Sequence, residues 1–130
     1  MMTTAAAPPT IKVGKVLVVD DDSMLRECLA ALLAAAGFEI IQAEDGLDAL
    51  EKYRAHQCSI ALVITDIEMP RLNGIETTKR LREINPLVKV IISSGSGKDV
   101  PEDVRADALL PKPFTGTSLN EAVQRVLLIA

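Results

Sequence analysis

The chain has 130 residues and a formal net charge of -4, with 48% hydrophobic and 25% charged residues. That length holds one domain able to bury its own core without staples, and the composition is ordinary for a globular protein. The acidic balance, with no Lys/Arg cluster to neutralise phosphates, argues against direct binding to nucleic acid, and no stretch approaches the ~18 apolar residues of a membrane span.

Aromatic residues make up only 2% of the chain, so the core must be aliphatic. Cys28 and Cys58 are isolated from one another in sequence and read as reduced core thiols of a cytoplasmic protein. The N-terminus lacks the basic region and long apolar core of a secretory signal. Its first ten residues are uncharged and Pro-containing, and the segment reads as a disordered tail over residues 1–14, with the domain over 15–130.

Lys15-Val-Leu-Val-Val-Asp20 is a short apolar run ending in acid, hence a buried strand. Asp20-Asp21-Asp22-Ser23 then opens a helix that Asp22 or Ser23 caps. Its apolar positions are Met24, Leu25, Cys28, Leu29, Leu32 and Leu33, and Gly37 stops it. Phe38 to Ala43 is a second strand. Asp45-Gly46 turns the chain into a second helix, supported by Leu47, Ala49, Leu50 and Tyr53 and running to about Ala55. Lone His56 follows it on an exposed loop.

Ile60 to Thr65 is a third strand, buried on both faces, with Asp66 at its end. A carboxylate inside such a run is very costly, whereas the strand end opens into a crevice. Gly74 opens a third helix that ends near Asn85-Pro86. Lys89 to Ser93 is the fourth strand, followed by a flexible Gly95-Ser-Gly97 loop and a weak helix over Val100 to Arg105. Ala108 to Pro111 is a short fifth strand suited to a sheet edge. Thr115 to Ile129 closes the chain as a helix with Leu119, Val123, Val126 and Leu127 inward.

Five strands alternating with five helices make an α/β, doubly wound, five-stranded parallel sheet with helices on both faces. Parallel strands then gather Asp20, Asp21, Asp66, Ser94 and Lys112 at one edge of that sheet. Three carboxylates so close repel one another unless a cation joins them, and one lysine cannot neutralise three. The economical cation is Mg²⁺, held by carboxylate and backbone oxygen. Lys112 and the Ser94 hydroxyl then suit a phosphoryl group.

With those residues in place the chain resembles the receiver domain of two-component response regulators, from Lys15 to about Leu128. The resemblance rests on Val-Leu-Val-Val-Asp20-Asp21-Asp22, Thr-Asp66-Ile-Glu-Met-Pro-Arg-Leu-Asn-Gly74, Ile-Ser-Ser94-Gly95 and Pro-Lys112-Pro-Phe114. It implies a flavodoxin-like three-layer sandwich and a chemotaxis-regulator-like switch rather than a conventional enzyme. Asp66 matches the phosphoacceptor, which takes its group from a histidine kinase or phosphotransfer protein and catalyses its own Mg²⁺-dependent phosphorylation and dephosphorylation. Asp20 and Asp21 match the acids that hold Mg²⁺ together with Asp66 and the Glu68 carbonyl. Ser94 and Lys112 match the hydroxyl and cation that bind the phosphoryl group, with Ser93 the nearest rival to Ser94. The bond between Lys112 and Pro113 matches one that is cis in the family. The output implied is control of a downstream protein through the face made by the fourth helix, fifth strand and fifth helix.

Three features depart from the pattern. Leu109 stands where an aromatic switch residue is usual, the Ser94–Lys112 segment is about one helical turn short, and Glu68 adds an acid expected to alter phosphoryl lifetime. Two other readings stay open at this stage. One is a haloacid-dehalogenase-type phosphohydrolase using Asp20 and Asp22; the other is a degenerate receiver used only for docking.

Overall fold

A computed structural model describes residues 14–95 and 100–127. Along the chain run β1 (Lys15–Val19), α1 (Ser23–Ala35), β2 (Glu39–Ala43), α2 (Gly46–His56), β3 (Ile60–Asp66), α3 (Gly74–Ile84), β4 (Val90–Ser94), β5 (Ala108–Pro111) and α4 (Gly116–Leu127). The strands form one parallel sheet in the order β2-β1-β3-β4-β5. The order reverses next to β1, between β1 and β3. In open α/β sheets that reversal leaves a crevice at the carboxyl edge.

Alternation along each strand divides the core in two. Leu17, Val19, Val63, Val90 and Ile92 pack with Ala49, Leu50 and Tyr53 of α2 and Leu81 of α3. Val16, Val18, Leu62, Ile64 and Ile91 face the other way, onto Leu29 and Leu33 of α1 and Leu119, Val123 and Val126 of α4. Both faces are covered, which is why the central strands read as unbroken apolar runs. The core is aliphatic as composition requires. Tyr53 is its fully buried aromatic, and its hydroxyl accepts a hydrogen bond from Asn85 Nδ2 at 2.9 Å, tying α2 to the end of α3.

The structure corrects several expectations. Met24 is 80% exposed, and Leu32, Leu47 and Cys28 are exposed as well. The buried residues of α1 are Leu29, Ala30 and Leu33, with Leu25 and Arg26 half-buried beside them, and this face turns Met24 and Cys28 away from the sheet. Both cysteines are free but exposed, so they are not core thiols. His56 is exposed as expected, though it closes α2 rather than following it. The weak helix over Val100 to Arg105 does not form, leaving four helices among the described residues.

In place of that helix there is one turn, with the Val104 N–H on the Pro101 carbonyl at 3.0 Å. The physical reason is the short span available to bring the chain back to β5. Asp107 is already committed to β4, its N–H on the Val90 carbonyl at 2.8 Å and its Oδ2 accepting the Val90 N–H at 2.7 Å. Arg82 of α3 fastens the same stretch, donating to the Arg105 carbonyl and to Asp107 Oδ2. The expected tail lies outside the described residues except for Gly14, as do Ser96 and Gly97 of the expected loop and Leu128 and Ile129 of the expected final helix.

Candidate functional site

β1 ends at Val19 and delivers Asp20 to the carboxyl edge, where it is only 2% exposed. The turn after it is held by its own atoms. The Asp22 N–H donates to Asp20 Oδ1 at 2.9 Å, and Arg26 Nη1 donates to the Asp20 carbonyl at 2.7 Å. Asp22 serves α1 instead, its Oδ1 accepting the N–H groups of Met24 and Leu25 at 3.1 and 3.2 Å. Of the two sequence candidates for the cap, Asp22 is the one used.

Asp66 is the last residue of β3. Its Oδ1 accepts two hydrogen bonds, from the Ile67 N–H at 2.9 Å and from Lys112 Nζ at 3.0 Å. The following loop closes tightly, since the Gly74 N–H reaches the Ile67 carbonyl at 2.7 Å. A Cβ on Gly74 would lie 2.0 Å from the Asp66 carbonyl oxygen, so this position has no room for a side chain. Glu68, two residues beyond Asp66, is exposed.

Asp20, Asp21 and Asp66 come together as expected, each offering a carboxylate oxygen within 4.8 Å of the others. Burial pushes the Asp20 carboxyl up, against the Asp22 N–H that lowers it, and the neighbouring Asp66 charge adds to the rise. Lys112 is the cation in contact with Asp66. Three carboxylates against one ammonium is a donor set that fits a hard divalent ion, whose all-oxygen preference it satisfies.

Ser94 is buried at the end of β4, and its carbonyl accepts the Lys112 N–H at 2.8 Å. The Lys112–Pro113 bond is cis, as the resemblance implied. Ser93 sits one residue back, in register with Asp66 across the sheet. Its Oγ is buried and has no hydrogen-bond partner among the described residues. Leu109 is 43% exposed, pairing by backbone with Ile92.

Sequence reasoning missed three supporting residues. Arg26 reaches both the Asp20 carbonyl and Gln42 Oε1. Asp45, read only as a turn residue, is buried and binds Arg71 of the β3–α3 loop. Burial alone would push the Asp45 carboxyl up, but the Asp48 N–H and Arg71 outweigh it and hold the group below its ordinary value. Nothing in local spacing signals a pair whose partners lie on different loops.

Residues 16–124 match the family described as response regulator receiver domain. The chain is 36% identical to the chemotaxis protein CheY of Thermotoga maritima over 117 residues, covering 86% of this chain and 96% of that one. It is 39% identical over 118 residues to the transcriptional regulatory protein CpxR homolog of Haemophilus influenzae, covering 88% of this chain but only half the length of that relative. Among solved structures it resembles the response regulator TrrA of Thermotoga maritima in complex with Mg²⁺ and BeF. The TM-score there is 0.79 at 34% identity, covering 87% of this chain and 98% of that one. With the 2-1-3-4-5 sheet and the acidic carboxyl edge, these likenesses show that the chain belongs to the receiver domains of two-component response regulators, a family whose typical role is to accept a phosphoryl group.

Proposed function

We propose that Asp66 is the phosphoacceptor of this receiver and that its phosphorylation, from a phosphohistidine on a histidine kinase or phosphotransfer protein, controls a downstream protein partner. The observation that carries the reading is the setting of Asp66 itself. It ends a buried strand with Lys112 on one oxygen and two further carboxylates within 4.8 Å.

Among the described residues the Ile67 N–H and Lys112 Nζ both donate to Oδ1, and the attack is assigned to Oδ2. In the transfer Oδ2 forms a bond to phosphorus while the phosphorus–nitrogen bond of the donor breaks, its electron pair leaving with the imidazole. Asp20, Asp21, Asp66 and the Glu68 carbonyl would hold Mg²⁺. When bound, the ion neutralises the carboxylate and phosphoryl charge that would otherwise repel the donor. Lys112 moves from the carboxylate to a phosphoryl oxygen, and Ser94 donates its hydroxyl to another. The same residues acting on water return the domain to its unphosphorylated state, so the protein catalyses its own resetting.

A phosphoryl group adds about −1.5 to −2 charges at the edge of the sheet. Inverting a population from roughly 1:99 to 99:1 takes about 5.5 kcal/mol, which a few charge-assisted hydrogen bonds supply. Pulling Ser94 toward the phosphoryl group moves the end of β4 and the segment joining it to β5. The partner-binding face therefore lies beside β5 and α4.

The test is Mg²⁺-dependent labelling with acetyl phosphate, read by intact mass. A single phosphoryl adduct is expected in the parent chain, lost in Asp66→Asn and lost when Mg²⁺ is chelated. An adduct that persists in Asp66→Asn overturns the assignment.

A further inference from the structure

The loop between β3 and α3, residues 67–73, is fastened at two points. Its ends meet through Gly74 and Ile67. Its middle is held by a side chain that leaves the loop altogether. Arg71 adopts φ +70, a left-handed conformation unusual for a residue with a Cβ. From there Nε donates to Asp45 Oδ2 at 2.8 Å, and Nη2 donates to the same oxygen.

Asp45 is a fixed anchor. It is buried, and its Oδ1 accepts the Asp48 N–H at 2.9 Å as the N-cap of α2. α2 also presses directly on the loop, since a Cβ on Gly46 would stand 2.7 Å from the Leu72 carbonyl oxygen. The loop thus takes its path from α2, while the acids take theirs from β1 and β3. Glu68 belongs to the loop, three residues before Arg71.

We propose that Asp45 and Arg71 act as a positioning pair: by pinning the β3–α3 loop to α2 they hold the Glu68 carbonyl where Mg²⁺ needs it, and so set the metal affinity of the site. This rests on the metal-holding roles given above to Asp20, Asp21, Asp66 and Glu68. Neither member of the pair supplies a ligand. Loss of the pair leaves the carboxylates in place and frees only the loop, so binding weakens without disappearing. An arginine serves better than a lysine here because its fork places two donors on one carboxylate oxygen from a fixed plane.

The experiment titrates Mg²⁺ into the parent chain, Arg71→Ala, Arg71→Lys and Asp20→Asn by calorimetry, with thermal unfolding of the metal-free proteins alongside. Arg71→Ala is expected to weaken Mg²⁺ binding roughly 10-fold, the scale for groups that orient metal ligands, and Arg71→Lys to recover part of it. Raising Mg²⁺ should restore acetyl phosphate labelling of Arg71→Ala to the parent's extent. If Arg71→Ala does not fold, Arg71→Gly, which accepts the same backbone conformation, replaces it. Equal Mg²⁺ affinity in the parent and in Arg71→Ala, with only the melting temperature changed, makes the pair a structural clip and overturns the inference. Failure of the metal reading looks different: the parent does not bind Mg²⁺, or Asp20→Asn binds it as the parent does.

Discussion

Asp20 is a buried carboxylate that Asp66 and Asp21 repel and Lys112 attracts. Burial is the largest influence and opposes its charge, outweighing the Asp22 N–H and Lys112, so without a divalent ion the charged Asp20 disfavours the fold it completes. Asp20→Asn keeps the shape and removes the charge. It should stabilise the metal-free protein by on the order of 1 kcal/mol, or about 3–5 °C in melting temperature for a domain of this size. Mg²⁺ should raise the melting temperature of the parent and leave the variant unmoved. The two serines at the end of β4 separate by the same kind of argument. Ser93 Oγ is buried with no partner among the described residues, so Ser93→Ala should be neutral or stabilising by up to about 1 kcal/mol and leave labelling intact. Ser94→Ala should slow phosphoryl transfer from acetyl phosphate, and equal rates for the two variants would deny Ser94 its role.

At the scale of elements, the acidic run Asp20-Asp21-Asp22 divides its work between a strand end and a helix start. Asp22 caps α1 through two N–H groups, whereas Asp20 and Asp21 face Asp66. Asp22→Ala should therefore cost about 1 kcal/mol of stability, the usual value of an N-cap, read from the denaturant midpoint. The acetyl phosphate adduct should still form at the parent's extent. Loss of the adduct in a folded Asp22→Ala would return the third acid to the site. The helix also shows why apolar spacing alone misplaces a stripe. Arg26 is half-buried, its guanidinium reaching the Asp20 carbonyl and Gln42, while Met24 and Cys28 lie on the exposed side.

For the whole molecule, the ion pair between Asp45 and Arg71 links two crossovers on one face of the sheet, and it gives the fold an acid limit. The Asp45 carboxyl is held below its ordinary value of 3.8, with burial working against the Asp48 N–H and Arg71. A depressed carboxyl contributes stability that is fully present above the ordinary value and lost as pH falls through the folded one. Denaturant midpoints should thus hold between pH 7 and 5 on this residue's account, then fall below about pH 4. Arg71→Ala should flatten that fall, and an unchanged acid limb in the variant would remove Arg71 from the cause. The other crossover of note is the one from β4 to β5, fastened to α3 by Arg82 rather than built as a helix. Asp107 serves there in place of a helical turn, holding the Val90 N–H and Arg82 on one carboxylate oxygen.

Residues 15–66 and the strand from Ala108 to Pro111 could be read almost element by element, because the central strands are unbroken apolar runs and acids mark the ends of β1 and β3. The gathering of Asp20, Asp21, Asp66, Ser94 and Lys112 at one edge was legible because a parallel sheet brings every strand's carboxyl end to that edge, whatever lies between in sequence. The pairing of Arg71 with Asp45, the inward turn of Arg26 and the strap in place of a helix were not legible. Each depends on where two separately formed loops or elements meet in space, and a hydrogen bond across that junction leaves no period or spacing along the chain.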